Sequence, residues 1–269
     1  MRGDTARRRR GERVLGWYVG AVLAFLALPI LVVIPSALSA GSILGFPPQG
    51  FSLRWFKNVA AHPEFLRALG VSVYTAVIAT AASLVLGTLA AMALVRHRFP
   101  GRDALQLAFI APLVFPAIVY GVAMLMVLNP LRLTRSMLGL ILAHTVITLP
   151  YVVRTVGATL HGVDPRLEES AQILGAGPWR TFWHVTLPLI RPGLIAGGTF
   201  ALIVSFDEFT VSLFLTGPGF LTLPLEIYYY TEFTIDPTIA AISTVLIVLS
   251  VAAIAAIERW LGFERHFQF

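Results

Sequence analysis

Two adjacent carboxylate pairs hold most of the chemistry available to this 269-residue chain. Glu168-Glu169 lies between apolar stretches, and Asp207-Glu208 lies inside one. Paired carboxylates can move protons, hold a cation or satisfy the free N–H groups at a helix start. Other chemistries lack their parts. There is no cysteine, which excludes disulfides, thiolate metal sites and sulfur nucleophiles. His144 and His161 have no companions at metal-ligand spacing. Neither a Gly-x-x-x-x-Gly-Lys phosphate loop nor a Ser-His-Asp arrangement is present. No catalytic residue, metal site or cofactor bound by the chain is therefore expected. The acids are candidates for binding and docking.

The elements that must position these acids are membrane helices. Hydrophobic residues make up 57% of the chain and charged ones 13%, about half the charged share of a soluble domain. Crossing a hydrocarbon layer about 30 Å thick takes about 20 apolar residues of helix. Six stretches meet this, at 14–40, 68–95, 104–128, 137–160, 194–215 and 238–261. None alternates apolar and polar residues steadily, which excludes barrel strands. "RRRRGER" precedes the first stretch. A signal peptide's apolar core runs about 7–15 residues, and this run is longer, so it is expected to stay as a membrane anchor.

The net charge of +6 is carried by 19 arginines and one lysine. With a cytoplasmic N-terminus, 15 of these 20 basic residues fall on cytoplasmic segments, as membrane topology prefers. Nucleic acid is not the expected partner; Arg96, Arg98 and Arg102 fit a role in topology and contact with lipid headgroups. The expected organisation is a cytoplasmic basic N-terminus at 1–13, a first transmembrane helix at 14–40 and a transmembrane core at 68–262. The core carries a cytoplasmic loop at 161–192, and a cytoplasmic tail follows at 263–269. Both termini are then cytoplasmic.

The loop has a grammar of its own. Asp164 and Pro165 suit a helix start, with Glu168 and Glu169 in its first turns. Leu167, Ala171 and Leu174 make an apolar stripe, and Gly175 suits the left-handed end of a helix. Gly177-Pro178 opens a second short helix, which Leu187-Pro188 is expected to end. Two short amphipathic helices with a glycine corner make a compact knob suited to a groove on another protein.

Glu169-Ser170-Ala171, Gly175, Val185 and Leu187-Pro188 stand at the spacing of the "EAA" loop, and the pattern resembles that of ABC importer permeases. Ser170 replaces the family's middle alanine and Val185 its isoleucine. "RHRFPGR" at 96–102 and the stretches 205–219 and 222–250 are similar to permeases of the spermidine/putrescine type. The resemblance implies an all-α integral membrane fold with six transmembrane helices and a cytoplasmic coupling-helix loop, the type I ABC importer permease fold. It implies a permease subunit of a bacterial inner (plasma) membrane importer, not an enzyme, carrying a small solute such as a polyamine. It implies that Glu168, Glu169, Ser170, Ala171, Gly175, Leu187 and Pro188 couple to two ABC ATPase subunits, which bind ATP and magnesium. A second permease subunit, expected as a paralogue, and a periplasmic or extracellular substrate-binding protein complete the assembly. Related permeases for iron, opines and aminophosphonates share much of the C-terminal pattern.

Asp207 and Glu208 are then candidates for the substrate pathway. An ionised carboxylate at the centre of a span costs about 2.5 kcal/mol or more unless it faces a cavity or a partner. On an unbroken helix Ser205, Glu208 and Ser212 share one face, and Asp207 and Thr210 another. Either face suits a path for cations; one carboxylate capping a helix is the structural alternative. Tyr120, one turn beyond Pro116, is a weaker pathway candidate. Pro112, Pro116, Pro150 and Gly197-Gly198 suit either a wet path or close helix packing. A stand-alone ion-coupled transporter, with the two acids as ion sites, is the rival class. It predicts inverted repeats, which are not visible, and leaves the knob without a use.

Overall fold

A computed structural model describes residues 2–217 and 219–261, with side chains described from 15 onward except at 218, 253, 257, 258, 260 and 261. The expected tail at 263–269 lies outside the described residues. The elements are α1 (Arg2–Ala37), α2 (Arg54–Ala61), α3 (Pro63–Arg96), α4 (Arg102–Val114), α5 (Ala117–Leu128) and α6 (Met137–Gly162). Then come α7 (Arg166–Ile173), α8 (Pro178–Thr181), a π-turn (Phe182–Thr186), α9 (Leu187–Asp207), α10 (Thr210–Leu215), α11 (Leu223–Phe233) and α12 (Thr238–Leu261). No β-strand occurs among the described residues. Five helical stretches are long and apolar enough to cross a membrane, or six when the bent pair α4–α5 is counted as one span. The all-helical, six-span class expected from hydropathy is what forms.

Two compact units divide the chain. One holds residues up to 62 with 230–249, and the other holds 63–229 with the stretch from 250 onward. In the first, the Trp55 indole N–H donates to the Ser39 carbonyl at 2.9 Å, and the Arg54 guanidinium stands 4.3 Å over the Trp55 ring. Asp236 Oδ1 accepts from the Thr238 backbone N–H at 2.9 Å and so caps α12.

The second unit is built on α3, α6 and α9. Their shared core is Ala91, Val152, Val156, Leu160, Ile190 and Ala201. Lipid tails are as apolar as these side chains, so close approach and polar bonds must hold such helices together. Ser83 supplies one: its hydroxyl lies 2.7 Å from that of Thr148. Gly197 supplies the other. A Cβ there would meet the Thr155 hydroxyl and stand 3.0 Å from Val152 Cα, so only glycine lets α9 lie this close to α6. Gly197 thus serves packing. A second core joins α5, α6 and α10 through Leu128, Leu140, Ala143, Ile147, Val211 and Leu215.

The first candidate span, Leu15–Ala37, falls within the expected 14–40, on a helix that begins at Arg2. Three expectations of element shape are corrected. The third span is no single rod: α4 and α5 bend by 114° at Phe115-Pro116. Pro116 has no N–H to donate and holds Phe115 extended, at φ −76° and ψ 143°. Leu187-Pro188 does not end a helix. The chain is helical from Pro178 to Asp207. The wide π-turn before Pro188 accommodates the missing hydrogen bond to His184. The fifth span breaks at Glu208-Phe209 instead of running on to 215. The face assignment made for a continuous helix therefore does not apply, and the Asp207-Glu208 pair sits at a helix end.

Candidate functional site

The knob forms as a helix, a corner and a second helix. Asp164 Oδ1 accepts the Arg166 N–H at 2.9 Å and starts α7. Gly175, at φ 90°, ends it. The Gly175 N–H donates to Gln172 O at 2.9 Å and the Ala176 N–H to Ala171 O at 3.0 Å, the paired bonds of a Schellman ending. Trp179, Phe182 and Trp183 pack ring against ring after the corner. Leu187 is half-buried against the α3–α6–α9 core, and Pro188 is exposed.

The outer surface of the knob is unusually apolar. Ile173 is 86% exposed and Leu174 88%. Glu169, Ser170 and Gly175 are exposed beside them, and Ala171 is half-buried. The Ser170 hydroxyl donates back to Arg166 O at 2.7 Å. With its proton spent on its own helix, Ser170 presents a small surface much like alanine.

Glu168, one of the residues expected to couple to the ATPase subunits, faces inward. Its Oε1 accepts from the Thr186 hydroxyl at 2.8 Å and from Arg96 at 3.3 Å. Its Oε2 lies 3.3 Å from Arg96 Nε, with both side chains mostly out of solvent. Arg96 also donates to the Val163 carbonyl at 3.4 Å. Neighbouring residues on a helix point about 100° apart, so turning Glu168 inward turns Glu169 out.

The broken fifth span is the second candidate. Glu208 is extended, at φ −71° and ψ 106°. Its Oε1 accepts the Val211 N–H at 2.9 Å, and its carbonyl accepts the Ser212 hydroxyl at 2.8 Å. Glu208 therefore caps α10. Asp207 is exposed and makes no hydrogen bond or ion pair among the described residues. Ser205 and Tyr120 are occupied inside the bundle. The Tyr120 hydroxyl donates to the Ala143 carbonyl at 2.8 Å, and Ser205 lies 2.8 Å from His144 Nδ1.

His144 is the residue that sequence reasoning missed here. It is fully buried, and its Nε2 lies 3.1 Å from the Ser212 hydroxyl. That hydroxyl already gives its proton to the Glu208 carbonyl, so Nε2–H is the donor. In the neutral ring, Nδ1 then accepts from Ser205. One α6 side chain thus pins both sides of the break. Ser205 and Ser212, seven residues apart, were a usable signal for a polar partner across the bundle. Arg96 and Thr186 gave no comparable signal, since each reads locally as a loop-end residue.

On α11, partial burial, helped by Glu64 and opposed by Arg67, pushes the Glu226 carboxyl above its usual range. Tyr228 packs on Phe209 at 5.1 Å, and the Tyr230 hydroxyl donates to Asp236 at 3.2 Å. Among the described residues, no group of three or more metal-binding side chains gathers.

Residues 83–262 match the family described as binding-protein-dependent transport system inner membrane component. The spermidine/putrescine transport system permease protein PotC of Escherichia coli K12 is 31% identical over 246 residues, covering 91% of this chain and 93% of that protein. The putative 2-aminoethylphosphonate transport system permease protein PhnV of Salmonella choleraesuis is 29% identical over 245 residues, covering 89% and 92%. A chain of a bacterial ABC transporter involved in import of the acidic polysaccharide alginate has a TM-score of 0.70 at 17% identity. The match covers 96% of this chain and 98% of that one.

Proposed function

We propose, from its membership of the binding-protein-dependent transport system inner membrane component family to which the chain belongs, that this protein forms the translocation path for a polyamine and is driven by ATPase subunits docked on its knob. It is an ABC importer permease subunit with the type I permease fold. The observation that carries the polyamine reading is the similarity to PotC over 91% of the chain. Asp207 agrees with it. An exposed, unpartnered carboxylate at a helix break inside an apolar span suits an ammonium group. Glu208, Ser205 and Tyr120 line this reading only at second hand, by shaping the break and the bundle around it.

The rest of the assembly follows the family. Glu169, Ser170, Ala171 and Gly175 dock into a groove on an ATPase subunit, where Ile173 and Leu174 add apolar contact. Two such subunits hold the nucleotide and magnesium; this chain holds neither. A paralogous second permease and an external binding protein complete the transporter. The N- and C-termini and the knob lie on the cytoplasmic side.

Uptake of labelled spermidine and putrescine into sealed vesicles carrying the reconstituted transporter tests this. Uptake that requires internal ATP and is competed by either polyamine is the expected result. Competition by 2-aminoethylphosphonate alone would favour the second reading, which rests on the similarity to PhnV. Uptake driven by an ion gradient without ATP would overturn both.

A further inference from the structure

The Glu168 carboxylate and its partner Arg96 join four segments around the knob. Arg96 ends α3, Val163 follows α6, Glu168 belongs to α7, and Thr186 closes the π-turn that leads into α9. Arg96 and Glu168 are 15% and 18% exposed, and Thr186 is 2% exposed. Hydrogen bonds to an ionised group are directional and roughly twice as strong as neutral ones. Partial removal from water strengthens them further. A helix held this way does not swing freely on its loops. Movement imposed on α7 is delivered to the ends of α3 and α9, which both pack on α6.

We infer that Glu168 is a positioning residue of the coupling step and not a docking contact: it clamps α7 to Arg96 and Thr186 so that the knob, α3 and α9 move as one piece. The inference rests on the reading that α7 docks on an ATPase subunit. It divides labour within the acidic pair. Glu169, exposed and unpartnered among the described residues, meets the partner. Glu168 passes the displacement on.

The test uses the intact transporter with its ATPase subunits and binding protein. The variants are Glu168→Gln, Thr186→Val, the exchange Arg96→Glu with Glu168→Arg, and Glu169→Arg for comparison. Two quantities are read: ATPase recovered on co-purification, and substrate imported per ATP hydrolysed. Glu168→Gln is expected to keep ATPase recovery near the parent level while import per ATP falls about tenfold, the loss of one charge-assisted contact. Thr186→Val removes one limb of the clamp without touching charge and should give a smaller fall of the same kind. The exchange should recover part of the lost coupling, which a purely docking role for Glu168 would not allow. If Glu168→Gln sheds ATPase as Glu169→Arg does, Glu168 is a docking contact and the inference is wrong. Unchanged import per ATP in Glu168→Gln or in Thr186→Val also overturns it. Full ATPase recovery with Glu169→Arg would instead overturn the docking reading, and the inference with it.

Discussion

The two acidic pairs share one plan in different surroundings. In each, one carboxylate turns inward and is used by the fold: Glu168 on Arg96 and Thr186, Glu208 on the first turn of α10. In each, the neighbour is exposed and has no partner among the described residues: Glu169 and Asp207. The backbone achieves this differently. At the knob, the roughly 100° step of a helix separates the two side chains. In the fifth span the helix stops, and an extended Glu208 separates them. The surroundings then set what the free acid is worth. On a short connecting helix an exposed glutamate costs almost nothing. An unpaired carboxylate costs up to about 3 kcal/mol at the centre of an apolar span; Asp207 closes such a span, which makes it the acid more in need of a cation.

The largest effect expected from this comparison is therefore at Asp207. Asp207→Asn keeps the shape and removes the charge. If an ammonium group pairs there, about 1.5–3 kcal/mol is lost, and polyamine uptake should fall about tenfold to a hundredfold. Assembly should be unaffected, because the fold does not use this side chain. Labelled uptake at parent levels, with the complex intact, would break the parallel between the two free acids.

The next effect falls on what holds the break in place. His144→Leu fills similar space but takes away the donor to Ser212 and the acceptor for Ser205. Leaving buried hydroxyls short of partners costs about 1–3 kcal/mol. The melting midpoint of the detergent-solubilised complex should drop. Adding Ser205→Ala to His144→Leu should cost little more, since the partner has already gone. Full additivity of the two would show that the pin does not exist.

These residues also show how far the sequence carries. The knob was legible because its signals are local: Asp164 before a helix, Gly175 after it, and apolar residues in between. Six spans were legible from hydropathy. The breaks were not. Pro116 bends its span by 114°, yet Pro150 sits inside a helix that continues to Gly162. The difference lies in what surrounds each proline, which spacing does not record. The inward turn of Glu168 was not legible, because its partner Arg96 lies 72 residues away. The role of Ser205 was hidden for the same reason. It depends on His144, 61 residues away on another helix.

A smaller effect is expected at the corner of the knob. Gly175 holds φ at 90°, where a β-branched side chain is strained by about 1–2 kcal/mol. Gly175→Val should lower ATPase occupancy roughly fivefold to thirtyfold. Gly175→Asn should lower it less, because asparagine tolerates that conformation. Equal occupancy for glycine, asparagine and valine would mean that the corner's shape is not what the partner reads.

The smallest effect sharpens the comparison most, because it concerns the acid assigned to structure. Glu208 accepts the Val211 N–H through one side-chain oxygen. A glutamine at 208 offers an amide oxygen at the same reach, so Glu208→Gln should change stability by only a few tenths of a kcal/mol, within the scatter of surface-like substitutions. Glu208→Ala removes the acceptor and should cost about 0.5–2 kcal/mol, the usual worth of a helix cap. The ordering alanine well below glutamine, glutamine close to the parent, is the signature of a cap. A cation site gives another ordering, in which glutamine and alanine are equally poor, because both lack the charge. Melting midpoints and polyamine uptake should be measured on the same preparations. If Glu208→Gln melts like the parent but imports as poorly as Asp207→Asn, both acids meet the cargo, and the division into one structural and one free carboxylate fails at the fifth span.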